Sequence, residues 1–155
     1  MTDLAARLDA VWERIAAAGG SPERVTLVAV TKGHGVDVVR EALAAGQTDL
    51  GESYAQELLT KVEEPGPRWH FVGRIQTNKV RTIAPYVALW HGVDRASAGR
   101  EIARRAPGSR VLVQVNVTGE ATKAGCTVEA LPELLETLRG DGLDVRGLMT
   151  IAPLG

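Results

Sequence analysis

The sequence predicts an α/β fold: a parallel (β/α) barrel that is incomplete, with about six of the eight strands such a barrel has. Three observations predict it. Short apolar runs alternate along the chain with helix-like patterns, as consecutive strand-helix units do. The runs end near Lys32, Gly51, Val72, Gly92, Val117 and Met149, so the unit recurs about every 20–30 residues. In "RVLVQVNV" the valines 111, 113, 115 and 117 share one face, while Leu112, Gln114 and Asn116 share the other. An open sheet covered by helices needs both faces apolar, whereas a barrel accepts polar groups inside, near the carboxyl ends of its strands.

The elements follow in order. Leu4, Leu8, Val11, Trp12 and Ile15 fall on one helical stripe that Thr2 can cap and Gly19-Gly20 can end. Leu27 to Thr31 reads as a buried strand, and a helix over Val36 to Ala45 is closed by Gly46. "TDLGES" leads into a helix from Tyr54 to Val62, and "WHFVG" into one from Asn78 to Ile83. "VALWHGV" precedes Ala98 to Arg105, "RVLVQVNV" precedes Leu131 to Leu138, and "DVRGLMTIA" is the last strand. A complete barrel needs about 250 residues, and this chain stops after the sixth strand. With no linker or compositional shift, residues 1–155 read as one domain, truncated at its C-terminus.

A formal net charge of -1 and no concentrated basic patch argue against a nucleic-acid or membrane partner. A single cysteine, Cys126, excludes an internal disulfide framework and fits a reducing compartment. The polar, helical N-terminus resembles neither a signal peptide nor a membrane anchor, so the cytoplasm is expected.

The residue with the most pointed chemistry is Lys32, at the end of an apolar run and followed by Gly33-His34-Gly35. An amine withdrawn from water is more easily neutral, and a neutral amine is the nucleophile that condenses with an aldehyde such as pyridoxal phosphate. The plain alternative is a strand-end lysine that reaches solvent. Lysines 61, 79 and 123 fall in helical or loop patterns. A rival reading takes Gly33 and Gly35 as a partial dinucleotide fingerprint, with Glu52 on a ribose hydroxyl, but the third glycine is missing. His34, His70 and His91 lie on different units without paired ligand spacing, so satisfied or solvated histidines are expected rather than a metal site. Asp94-Arg95, Glu63-Glu64 and Arg104-Arg105 read as solvated helix-end charges, and the tryptophans as core or helix-face residues.

Taken together, "LVAVTK", "AGQTDLGESYAQE", "WHFVGRIQTNKV", "HGVD", "VLVQVNVTGEATKAGC" and "VRGLMTIAP" resemble, in order and spacing, the pyridoxal 5'-phosphate homeostasis protein family. These are barrels related to the N-terminal domain of alanine racemase. The resemblance runs from Leu27 to Pro153. It implies pyridoxal 5'-phosphate as cofactor, held as an internal aldimine on Lys32, and a role in vitamin B6 and amino-acid balance without an established turnover reaction. It further implies that His70, Asn116, Met149 and Thr150 line or support the cofactor site, each with a structural role as the alternative. Pyridoxal-phosphate-dependent enzymes become candidate partners, and a full-length form is expected to be monomeric. Two departures stand out: Ser53 replaces the family's asparagine, giving a shorter contact to the cofactor, and His34 replaces a second lysine often found there. The family's last two strands and phosphate-holding loops have no counterpart before Gly155, so this chain is expected to bind the cofactor weakly and to self-associate. An amino-acid racemase or lyase and a nucleotide-binding module remain the other readings.

Overall fold

The computed structural model describes residues 3–153, and the proposed cap Thr2 lies outside the described residues. The elements run α1 (Asp3–Ala17), β1 (Ala29–Val30), α2 (Val36–Ala44), β2 (Asp49–Glu52), α3 (Ala55–Leu59) and β3 (Arg68–Phe71). They continue with α4 (Thr77–Ile83), β4 (Val87–Val93), α5 (Ala96–Arg105), β5 (Arg110–Gln114), α6 (Leu131–Gly140) and β6 (Asp144–Met149). The strands form one six-stranded sheet in the order β1-β2-β3-β4-β5-β6, every neighbouring pair parallel. A doubly wound sheet reverses its strand order at a switch point. This one never does, which is the order of a (β/α) barrel.

The two faces of the sheet divide the chemistry. Leu50, Trp69, Phe71, Trp90, Val111 and Val113 are buried against the helices, where Val39, Leu58, Val80, Ile83, Ile102 and Leu138 meet them. Alternation sends Asp49, Gly51, Arg68 and His70 to the opposite, inner face. Gln114, on the polar side of the β5 alternation, is buried as well. The expected polar interior is therefore present.

Several boundaries differ from expectation, β5 among them, which ends at Gln114 although its apolar run continues to Val117. Leu27 to Thr31 is not a buried strand: only Ala29 and Val30 pair, Val30 is 46% exposed, and of the five only Thr31 is buried. With β2 on one side and no strand on the other among the described residues, β1 is an edge with half its surroundings. The helix expected from Tyr54 to Val62 ends at Leu59. The Thr60 hydroxyl donates back to the Glu57 carbonyl (2.7 Å), and turns carry the chain onward. That early ending delivers Lys61 to the interior, where it is 1% exposed. The opening helix packs only lightly, with none of its residues buried.

Candidate functional site at the carboxyl ends of the strands

Lys32 sits at the corner of the turn that leaves β1. The His34 N–H donates to the Thr31 carbonyl (3.2 Å), closing a four-residue turn in which Gly33, the third residue, has φ 77°. That is the type II arrangement, and it needs glycine at the third position. Lys32 is exposed, so the expectation that its amine is withdrawn from water is not met; the withdrawn lysine is Lys61. The turn's fixity comes from buried charge behind it. The Thr31 hydroxyl donates to Glu52 Oε1 (2.5 Å), and the Lys61 ammonium donates to the same oxygen and to the Thr31 carbonyl (2.9 Å). The Gly33 N–H donates to Glu57 Oε2 (2.7 Å).

Glu52 is fully buried in this cluster. Its carboxylate is engaged by Thr31 and Lys61 rather than offered to a ribose hydroxyl, which takes the acidic partner away from the nucleotide reading of Gly33 and Gly35.

His70 occupies the inner face. Its Nε2 lies 2.9 Å from Asp49 Oδ1 and its Nδ1 2.8 Å from His91 Nε2. An ionised Asp49 accepts, so Nε2 carries the His70 proton and Nδ1 accepts from His91. Burial works against the Asp49 carboxylate, but hydrogen bonds and charge from Arg68 and His70 outweigh it and hold the carboxyl below its usual range. Burial, with repulsion from the His70 ring, pushes His91 from 6.5 down to about 4. His70 thus has both ring nitrogens engaged and His91 has its Nε2 engaged; among the described residues no group of three or more His, Cys, Asp or Glu side chains gathers as metal ligands would.

Asn116, Met149 and Thr150 gather at the ends of β5 and β6. Asn116 Oδ1 accepts from the Thr118 N–H (3.0 Å) and hydroxyl (2.9 Å), while its amide donates to the Glu120 carbonyl (2.8 Å). The Thr150 hydroxyl donates to the Val115 carbonyl (2.9 Å), and the Met149 carbonyl accepts from the Val115 N–H. These groups fold the 117–125 loop back over β5, and a cavity of about 260 Å³ remains beside Gln114, Asn116 and Lys123. Ser53 instead helps line a cavity of about 350 Å³ with Arg74, Gln76 and Lys79 over Phe71 and Ile75; Lys32 is not among its walls. The six candidates thus fall at the same end of the sheet but not in one contact: no described hydrogen bond joins Lys32 to Ser53, His70, Asn116, Met149 or Thr150.

Sequence reasoning missed three things here: the Thr31-Glu52-Lys61 cluster, the cross-strand histidine pair, and Asp94-Arg95. The pair is half-buried rather than standing free in solvent: Arg95 donates to Asp94 (2.9 Å) and the Ile75 carbonyl (2.6 Å), and Asp94 accepts the Gly125 N–H (3.2 Å). The pair ties together the loops after β3, β4 and β5. Both histidines follow a tryptophan, in "WHF" and "WHG", but His70 lies in register with Leu89 rather than His91, so their meeting shows only in the folded sheet.

The alanine racemase N-terminal domain family matches residues 5–154. This chain belongs to that family. It is 43% identical over 149 residues to the pyridoxal phosphate homeostasis protein of Pseudomonas aeruginosa, covering 91% of this chain and 65% of that protein. The protein of the same name from Escherichia coli K12 is 35% identical, covering 97% of this chain and 71% of the relative, which places the chain in the homeostasis branch. The chain spans about two thirds of the length of these curated relatives. Among solved structures, PipY of Synechococcus elongatus with PLP bound superposes with a TM-score of 0.79 at 33% identity, over 94% of this chain and 72% of PipY. A Bifidobacterium adolescentis protein of unknown function gives 0.87 at 28% identity, over 100% and 74%.

Proposed function

We propose that this chain binds pyridoxal 5'-phosphate covalently through Lys32 and serves vitamin B6 and amino-acid homeostasis in the cytoplasm. The observation that carries the reading is Lys32 itself: an exposed amine at the carboxyl end of β1, on a turn fixed from behind, in a chain whose relative PipY was solved with PLP bound. Active sites of (β/α) barrels lie at this end of the strands.

What supports the fit is that the backbone beside Lys32 is unobstructed: a Cβ placed on Gly33 or Gly35 would meet nothing within 4 Å, so no neighbouring group stands over the turn there. When bound, the cofactor supplies an aldehyde, to which a primary amine adds with expulsion of water, leaving a carbon–nitrogen double bond. Lys32 provides the amine, and its exposure leaves that amine open to a ligand arriving from solvent. His70 has both ring nitrogens engaged by Asp49 and His91, so it shapes the inner face and holds its proton at Nε2. Asn116 and Thr150 order the loop and strand end that flank the same mouth. The lone cysteine, buried with its thiol pushed up by that burial, is in keeping with a reducing compartment. No helix among the described residues is long and apolar enough to cross a membrane.

Titration with pyridoxal phosphate is expected to raise a visible absorption band that Lys32→Ala abolishes. The same band in the variant would assign the chemistry to another amine.

A further inference from the structure

Among the described residues the most deeply buried ion pair lies behind Lys32 rather than at it. Lys61 and Glu52 are 1% and 0% exposed, side by side beneath the β1 turn. An apolar pair of similar volume is often at least as stabilising as a buried ion pair, so stability alone gives little reason for charge here. Directional bonding does. One Glu52 oxygen takes both the Thr31 hydroxyl and the Lys61 ammonium, and Glu52 Oε2 is buried without a partner among the described residues. Lys61 then donates to the Thr31 carbonyl, the same oxygen that accepts the His34 N–H and closes the turn. Glu57, whose Oε2 is 3.8 Å from the Lys61 ammonium, accepts the Gly33 N–H. The backbone is thereby hydrogen-bonded on both sides of Lys32, while the Lys32 side chain stands exposed.

We propose that Lys61, acting with Glu52 and Glu57, is a positioning residue that holds the Thr31–His34 turn so that Lys32 presents its amine to an aldehyde ligand. This rests on the reading of Lys32 given above. A fixed attachment point removes much of the search a flexible amine makes for its attack geometry, and small misplacements of a reacting group are costly in rate.

The test compares the wild-type chain with Lys61→Met, Glu52→Leu/Lys61→Met and Glu57→Ala. Pyridoxal phosphate is the probe, and labelling is quenched by borohydride, which delivers hydride to the carbon of the C=N bond while water protonates the nitrogen. Peptide masses then give the rate of labelling at Lys32. Hydrogen exchange at the Gly33 amide, measured without ligand, reports the turn directly. Slowing of Lys32 labelling by about tenfold or more is expected in the double variant, with faster Gly33 exchange and a retained fold. Glu57→Ala changes a partly exposed side chain and leaves the core untouched; its labelling is expected to slow by about threefold to tenfold, the worth of one hydrogen bond, with the melting temperature lowered by only about a few degrees. Should Lys61→Met not fold, the other two variants decide. Wild-type labelling rates and wild-type Gly33 exchange in both would overturn the positioning role while leaving Lys32 as the amine. An unlabelled Lys32 in the wild-type chain would overturn both.

Discussion

His91 makes the stability of the fold depend on pH. Its ring stays neutral down to about 4 in the folded protein, against 6.5 when unperturbed, so between those values the unfolded chain takes up a proton that the fold refuses. Stability is therefore complete above 6.5 and falls as the pH drops toward 4. Asp49, whose folded carboxyl lies below its ordinary range, adds a further loss in more acid solution. For a half-buried ring the screened loss is about 1–2 kcal/mol. Denaturant unfolding across this range should show it in the wild-type chain and show a flatter profile in His91→Gln; equal slopes would disconnect the pair from stability. Gly73 makes a second residue-scale test, because a Cβ there would stand 2.1 Å from the Ser53 carbonyl oxygen. Gly73→Ala should cost about 1–3 kcal/mol in unfolding free energy, and a neutral result would mean the β2 and β3 ends can part. Nothing in "HFVGRIQ" reveals that approach, because it depends on which strand end lies alongside.

Among the elements, β4 was the most legible: "VALWHGV" is that strand to the residue, Val87–Val93, with β3 on one side and β5 on the other. Apolar character alone does not fix a strand's end, since β1 pairs only at Ala29 and Val30 of its run and β5 ends at Gln114 although "RVLVQVNV" continues to Val117. The helical pattern after Tyr54 continues past the true end of α3, since periodicity does not see the Thr60 hydroxyl turning back on Glu57. Lys61 was misplaced with it: a lysine among Leu58, Leu59 and Val62 looks like a solvent-facing position until the helix stops short and the turn carries it inward. The 117–125 loop is the element most dependent on one side chain. Asn116→Ala removes the three short bonds that fold it over β5, and limited proteolysis should then cut within 117–125 while the sheet's circular dichroism is kept. Resistance equal to wild type would shift that role to the Asp94–Gly125 contact.

For the molecule as a whole, six parallel strands in sequential order were readable from the spacing of apolar runs, and the barrel preference from the polar side of "RVLVQVNV", which became the buried Gln114. The polar clusters were not readable, because Glu52 meets Lys61 and His70 meets His91 only once the strands are in register. β1 and β6 are unpaired with each other among the described residues, and Val30, Leu148 and Ile151 are exposed beside them, at 46%, 56% and 63%. Open strands with apolar flanks invite pairing between chains. Sedimentation should show association that rises with concentration and weakens in Leu148→Glu; an ideal monomer at all concentrations would show that these edges do not pair. Lys32, and not the buried Lys61, is the amine proposed to meet the aldehyde. Borohydride reduction in pyridoxal phosphate, followed by mass mapping of every lysine peptide, should therefore leave the label concentrated on Lys32 with Lys61 unmodified; a label on Lys61, or one spread evenly over the exposed lysines, would overturn that assignment.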